Sequence, residues 1–153
     1  MREYPIIVSD VDVYRLRGLL GAARTAAALD QAHLDELRRE LERAIVMPVG
    51  EIPRGVVSMG SKVQVRDLGN GRIAGWQLVY PREADPAAHR ISVLAPLGTA
   101  LLGNSEGDTV EWQMPGGARC FRIERVMQVP RSVPDELDTA VTRVARANEA
   151  RWA

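Results

Sequence analysis

The first third of the chain carries hydrophobic residues at the three- and four-residue spacing of an amphipathic helix, in two successive runs. Ser9 precedes the first run and Asp30 the second, and both residue types cap helices well. Because two such helices joined by a short link usually lie antiparallel, the pattern predicts a short helical hairpin, or coiled coil, over residues 1–49. The runs are Val13, Leu16, Leu19 and Leu20, then Leu34, Leu37, Leu41, Ala44 and Ile45.

Beyond a proline- and glycine-rich segment at 48–55, the hydrophobic period becomes two, which is typical of strands. A proline at position 96 and a glycine at position 103 bound one short predicted helix. The alternation of apolar and polar residues is interrupted in the last strand, which predicts a bulge at Glu124-Arg125. We therefore expect an α+β protein whose second domain, residues 50–130, is an antiparallel sheet around this helix, followed by a tail at 131–153 with a helix start signal. The predicted strands are 62–66, 73–80, 91–94, 109–114 and 119–129.

Composition narrows the possible functions. Lys and Arg together number 20 and Asp and Glu also number 20, so no broad positive field exists for binding nucleic acid or membranes. Two histidines and the single Cys120 cannot form a structural zinc cluster, so no metal or other cofactor is expected, and Cys120 is interpreted as a small core residue. The longest apolar run, 97–102, is too short for a membrane helix, which predicts a cytoplasmic protein.

A set of short motifs between Met59 and Val129 resembles the carboxy-terminal domain of the bacterial Gre transcription factors, in the family's order and spacing. The opening segment Pro5–Asp10, the short hairpin and Leu78–Pro81 look more like the Rnk branch of that family, which is named for regulation of nucleoside diphosphate kinase. The motifs are Gly60–Val63, Glu83–Asp85, Ile91-Ser92, Ala95–Gly103, Gly107-Asp108 and Pro115–Gly117.

The resemblance implies an FKBP-like fold for the second domain, and docking of that domain on RNA polymerase at the rim of its secondary channel. By the same resemblance, the contact should centre on Ala95, Pro96, Leu97 and Gly98. Ala95 stands where Gre factors carry a serine, so one hydroxyl hydrogen bond is missing. A purely structural role for the segment stays open at this point, because Pro96 can start a helix and Leu97 can fill the core.

In Gre factors, two acidic residues three apart at the hairpin tip hold a catalytic magnesium ion in the polymerase. The tip of this chain, which includes Arg24, Thr25 and Asp30, has one acid and no such pair. The sequence therefore predicts a non-catalytic regulator that competes with Gre factors for RNA polymerase, without sequence-specific nucleic-acid binding and without a membrane. Two alternatives remain: a transcript-cleavage stimulator acting through Asp30, and an FKBP-like prolyl isomerase or chaperone with an aromatic-lined pocket. The aromatic residues that the second domain offers for such a pocket are interpreted as core residues instead: Trp76, Tyr80, Trp112 and Phe121.

Overall fold

Helices and strands occur together in the computed structural model, which describes residues 4–23, 31–114 and 116–128. The chain divides into two units between Ile52 and Pro53. The mixed α+β class is confirmed. The predicted limits of 1–49, 50–130 and 131–153 stay predictions, and the tail lies outside the described residues. The helices that the structure describes are too short and too polar to cross a lipid bilayer.

The first unit has two helices flanked by two short strands. Strand β1 (Ile7–Ser9) leads directly into helix α1 (Asp10–Ala23), and helix α2 (Gln31–Arg43) leads into strand β2 (Ile45–Met47). β1 and β2 pair in parallel, with Val8 opposite Val46. The backbone amide of Asp12 donates to the Ser9 hydroxyl at 3.1 Å, so Ser9 caps α1 as predicted.

The hydrophobic stripes of α1 and α2 form the core of this unit together with β1. Two polar side chains of α1 and α2 are buried with them, Asp12 and Glu40, at 0% and 4% exposure. Burying an aliphatic side chain of this size stabilises a fold by about 1.5–3 kcal/mol, so the stripes account for the association of these elements. The buried hydrophobic residues are Ile6, Val8, Val11, Val13, Leu16, Leu20, Leu34, Leu37 and Leu41.

The prediction for the end of the second helix was wrong. α2 ends at Arg43, and Ile45 begins β2 with 46% of its surface exposed rather than continuing the buried stripe. The amide of Ile45 donates to the Ile6 carbonyl at 2.8 Å, so pairing with the preceding strand takes this residue out of the helix. Residues 24–30 lie outside the described part of the chain, and the antiparallel hairpin stays a prediction.

The second unit is a five-stranded sheet with one α-helix. Helix α3 is Pro96–Leu101. The strand order is β5-β4-β3-β7-β6. The strands are β3 (Lys62–Asp67), β4 (Ile73–Val79), β5 (Arg90–Ser92), β6 (Thr109–Met114) and β7 (Gly117–Met127).

Pairing in the sheet differs from the prediction at one edge. β3, β4, β6 and β7 pair antiparallel as expected, but β5 pairs parallel to β4, so the sheet is mixed. The connection from β4 to β5 is short and consists of two 3₁₀ turns, Pro81–Glu83 and Pro86–Ala88. The predicted bulge is confirmed: the register of β3 against β7 shifts between Gln64 and Val65, which leaves Glu124 without a partner across the pair.

Helix α3 contacts β5 and β6, the two outermost strands of the sheet. Five strands laid flat would span about 19 Å between those edges, whereas a helix of six residues is about 9 Å long. Contact with both edges indicates that the sheet curls around α3, with its concave face as the core and its other face convex. The core residues are Val63, Val65, Leu78, Val93, Leu97, Leu101, Leu102, Val110, Phe121, Ile123 and Val126.

Close approach of α3 to the turn before it depends on Gly98. A Cβ atom at this position would overlap the Ser92 carbonyl oxygen and also press on the backbone of Val93. Both neighbours are main-chain atoms that cannot rotate away, so a larger residue would displace the helix. Gly98 is therefore a packing requirement of the fold.

The first prediction concerns Asp10, the first residue of α1, where burial raises the pKa of the carboxyl above its ordinary value. A raised pKa in the folded state means that this charge destabilises the protein at neutral pH, and that the cost disappears as pH falls below the ordinary carboxyl range. Asp10→Asn should therefore raise Tm at pH 7, by less than about 4 °C because the side chain is partly exposed. Thermal unfolding at several pH values measures this.

The difference between Asp10→Asn and the parent protein should shrink towards acid pH. Glu36→Gln, a change at an exposed position of α2, is the control and should leave Tm unchanged. A pH-independent difference, or a lower Tm for Asp10→Asn at pH 7, would contradict the assignment.

The second prediction concerns Gly98. Gly98→Ala should lower the free energy of unfolding by roughly 1–3 kcal/mol, because the added methyl meets backbone rather than a flexible side chain. Urea denaturation measures the change. Gly75→Ala is the matched control in the same unit, since a Cβ at Gly75 meets nothing within 4 Å. Equal stability of the two variants would show that α3 moves without cost.

Candidate partner-binding site

A tight turn connects the edge strand β5 to α3. The Ser92 hydroxyl accepts a hydrogen bond from the Leu94 amide at 3.0 Å, and the Ser92 carbonyl accepts one from the Ala95 amide at 3.0 Å. One serine at the end of β5 thus organises the next three residues through its side chain and its backbone. The turn fixes the position from which α3 begins.

Pro96 is the first residue of α3 and is exposed to solvent. Proline suits this position, because its fixed φ is helical and the amide hydrogen it lacks would have had no partner within the helix. The preceding Ala95 is partly exposed, and its carbonyl accepts the amide of Thr99 at 2.9 Å. Ala95 and Pro96 therefore form a small, rigid surface feature at the helix start.

The two following residues lie inside the protein. Leu97 is 1% exposed and Gly98 is buried against the turn. The Thr99 hydroxyl, also buried, donates to the Val93 carbonyl at 2.7 Å and ties the helix to the same turn. Of the four residues predicted to contact a partner, Ala95 and Pro96 are accessible, whereas Leu97 and Gly98 hold them in place.

The second predicted site, the hairpin tip with Arg24, Thr25 and Asp30, lies outside the described residues. In the parts of the chain that the structure describes, no three His, Cys, Asp or Glu side chains are grouped so that they could hold a metal ion. Asp35, near the start of α2, forms an ion pair with Arg38 at 2.6 Å one turn further along the same helix. Its carboxylate is therefore engaged locally.

The aromatic residues considered for an isomerase pocket are in different surroundings. Phe121 is a core residue at 7% exposure. Trp76 is half-buried and packs against the exposed His89 ring, with ring centroids 5.3 Å apart and planes at 47°. Tyr80 is also half-buried, and the side chain of Trp112 lies outside what the structure describes. The core interpretation is confirmed for Phe121, whereas Trp76 and Tyr80 are only half-buried.

Sequence reasoning missed the convex face of the sheet. Side chains on this face are exposed, and many of them are cationic, as the strand register shows. Cys120 lies among them and is exposed, so its interpretation as a core residue was wrong. The signal was present in the alternation of β3, where Lys62, Gln64 and Arg66 share one side. In β7, the bulge changes which residues point outward, so the alternation alone did not show that Cys120 faces solvent.

Two family models match the chain in succession. Residues 5–47 match the model described as the Rnk N-terminus, and residues 52–128 match the model described as the C-terminal part of transcription elongation factor GreA/GreB. The two matches meet at the segment where the structure divides into its two units.

Curated relatives and a solved structure agree with these matches. The chain is 40% identical over 117 residues to the "Regulator of nucleoside diphosphate kinase" of Escherichia coli, covering 76% of this chain and 84% of that one. It is 34% identical over 130 residues to transcription elongation factor GreA of Azorhizobium caulinodans, covering 81% and 83% of the two chains.

A solved GreA/GreB elongation factor from Nitrosomonas europaea superposes with a TM-score of 0.69 at 40% identity and covers 80% of this chain and 99% of that one. The fold therefore shows the same family relationship as the two sequence models. The chain therefore belongs to the GreA/GreB family of bacterial transcription elongation factors, in the branch that carries an Rnk N-terminus.

Proposed function

We propose that this protein is a non-catalytic regulator of transcription that binds RNA polymerase at the rim of its secondary channel. The observation that carries the proposal is the exposure of Pro96 at the start of a helix that is otherwise fastened into the core of a Gre-type unit. Ala95 completes the contact. In this proposal the second unit acts as the FKBP-like anchor that the family resemblance implies.

A rigid contact suits a competitive binder. The turn at Ser92 and the packing of Gly98 hold Ala95 and Pro96 in one conformation before any partner arrives. Such preorganisation lowers the conformational entropy lost on binding, so a small surface can contribute useful affinity. Occupation of the same rim by a Gre factor then excludes this protein by mass action, without any chemical step.

The helices of the first unit fit a regulatory role better than a catalytic one. α1 has 14 residues and α2 has 13, which gives lengths of about 21 and 20 Å. We propose that they form an antiparallel hairpin pointing into the channel.

Stabilising a catalytic magnesium ion requires converging carboxylates, and between Gly21 and Leu34 the sequence offers Asp30 alone.

The third prediction tests the contact. Pro96→Asp should reduce binding to core RNA polymerase at least about tenfold, because it places a charge at the centre of the proposed interface while an acidic residue remains compatible with the first turn of a helix. Co-sedimentation with core polymerase, with GreA as competitor, measures binding, and circular dichroism checks the fold. Pro48→Asp, at an exposed proline of the first unit, is the matched control and should bind normally.

Wild-type binding that GreA displaces, together with loss of binding in folded Pro96→Asp alone, supports the proposal. Undiminished binding of Pro96→Asp would exclude this contact. If wild-type protein does not bind polymerase at all, the partner has changed, and nucleoside diphosphate kinase, in the name of the Escherichia coli relative, becomes the one to test.

The fourth prediction separates regulation from cleavage. Added to stalled elongation complexes, the protein should not shorten the nascent RNA, and Asp30→Ala should behave in the same way because a single carboxylate cannot replace a pair. Gel analysis of labelled transcripts gives the result, with GreA as the positive control. RNA shortening that depends on Asp30 would favour the cleavage-stimulator alternative.

A further inference from the structure

The register of the sheet gathers five cationic side chains on its convex face. Opposite residues on paired strands point to the same side, so the alternation of β3 can be extended across its neighbours. Gln77 lies opposite both Lys62 and Arg90, which places these two cations on one side of the sheet. Gln64 lies opposite Arg125, and Arg66 opposite Arg122. The cations are Lys62, Arg66, Arg90, Arg122 and Arg125.

Four of these cations are available for a partner. Lys62, Arg90, Arg122 and Arg125 are exposed and form no ion pair with any residue in the described ranges. Arg66 differs, because its guanidinium contacts the Glu124 carboxylate at 2.8 Å and also donates to the Gly71 carbonyl at 3.1 Å. The remaining acid on this face is Glu111 of β6, near the far edge. The face therefore has an excess of positive charge although the whole chain is neutral.

The bulge shapes the charge of this face. It turns both Glu124 and Arg125 outward, while Ile123 and Val126 on either side stay in the core. Glu124 neutralises Arg66, whereas Arg125 has no acidic partner among the described residues. A face serving only as a solvated surface would gain from alternating charges, whereas clustered cations suit an anionic ligand.

The composition of the face favours phosphate over a protein partner. Protein interfaces have an apolar and often aromatic centre with a polar rim. Here the centre is Gln64 with Arg66 and Gly75, and the large apolar side chains Ile73 and Met127 lie at opposite corners. No aromatic residue lies on this face among the described side chains, so bases of a single strand would find nothing on which to stack.

The shape favours a double strand. Because the sheet curls around α3, β3 and β7 form a ridge on its convex side, with cations on both strands. β4 and β6 flank this ridge, so the face is too broad to enter the major groove of DNA, which is about 12 Å wide, and its cations would lie against the backbone phosphates that border the groove. A stiff ridge and a stiff duplex also lose little conformational entropy on association.

We propose that the convex face of the sheet is a sequence-independent binding surface for double-stranded DNA, in which Lys62, Arg90, Arg122 and Arg125 contact backbone phosphates. The surface is distinct from Ala95 and Pro96, and DNA binding does not depend on the polymerase contact proposed above.

The fifth prediction is the salt dependence of this binding, measured with the full chain by fluorescence anisotropy of a short labelled DNA duplex. Each phosphate contact contributes about −0.9 to the slope of log K against log salt, so four contacts give a slope of about −3.6 between about 50 and 200 mM salt. The double variant Arg122→Gln/Arg125→Gln should weaken binding at least about tenfold at the lower salt concentration and reduce the slope by about 1.8.

Folding and net charge are controlled separately. Arg39→Gln/Arg54→Gln removes two exposed arginines elsewhere with the same change in net charge, and should leave affinity and slope nearly unchanged. The sheet-face variant should keep the parent's Tm, because Arg122 and Arg125 are exposed and form no ion pair with any described residue. Pro96→Asp should bind the duplex normally, which separates failure of this proposal from failure of polymerase docking.

Three results would overturn the proposal. One is no binding of the duplex at the lowest salt concentration, and another is an equal loss in the sheet-face and control variants. The third is tighter binding to a labelled poly-glutamate peptide, or to a DNA single strand of the same sequence, than to the duplex. Poly-glutamate preference would identify an acidic protein as the partner of this face.

Discussion

The second unit depends on the close approach of one six-residue helix to a five-stranded sheet. α3 contacts both outermost strands, so the core is closed only because the sheet curls and because Gly98 lets the helix reach the Ser92 carbonyl. Leu97, Leu101 and Leu102 then fill the space that the curl creates. With so small a helix, each contact in the turn before it contributes a large share of the packing.

The same constraint gives the unit two surfaces with different chemistry. On the concave side, packing of α3 leaves Ala95 and Pro96 as a fixed exposed corner next to the edge strand. On the convex side, curvature brings the outward residues of β3 and β7 onto a ridge, and the bulge at Glu124 adds one more outward residue. A neutral and rigid corner suits a shape-specific protein contact, whereas a charged ridge suits a partner recognised through its phosphates.

Features set by local sequence were predicted well. The strands of the second unit show clear alternation, the bulge appears as a slip in that alternation, and Pro96 starts α3 where expected. The family motifs also led directly to the accessible pair Ala95 and Pro96. Leu97 and Gly98 were included with them because a motif does not show which of its residues face solvent.

Features set by distant contacts were missed. β1 and β2 have three residues each, too few for a period, and Ile45 continues the helical stripe in sequence although pairing with the first strand places it in β2. The parallel pairing of β5 depends on the path of the preceding turns. Exposure of Cys120 depends on which face of the sheet α3 covers. The bulge hides from the sequence which residues of β7 lie on that face.

The parallel pair of β1 and β2 has a consequence for how such proteins diversify. The strand pair joins the residue before the first helix to the residues after the second, with Ser9 opposite Met47, so it holds the start of α1 near the end of α2. Equal numbers of helical turns can be added to or removed from the far ends of both helices without altering the hydrogen bonds of this strand pair. The length of the two helices can therefore change in evolution while the strand pair and the second unit stay unchanged.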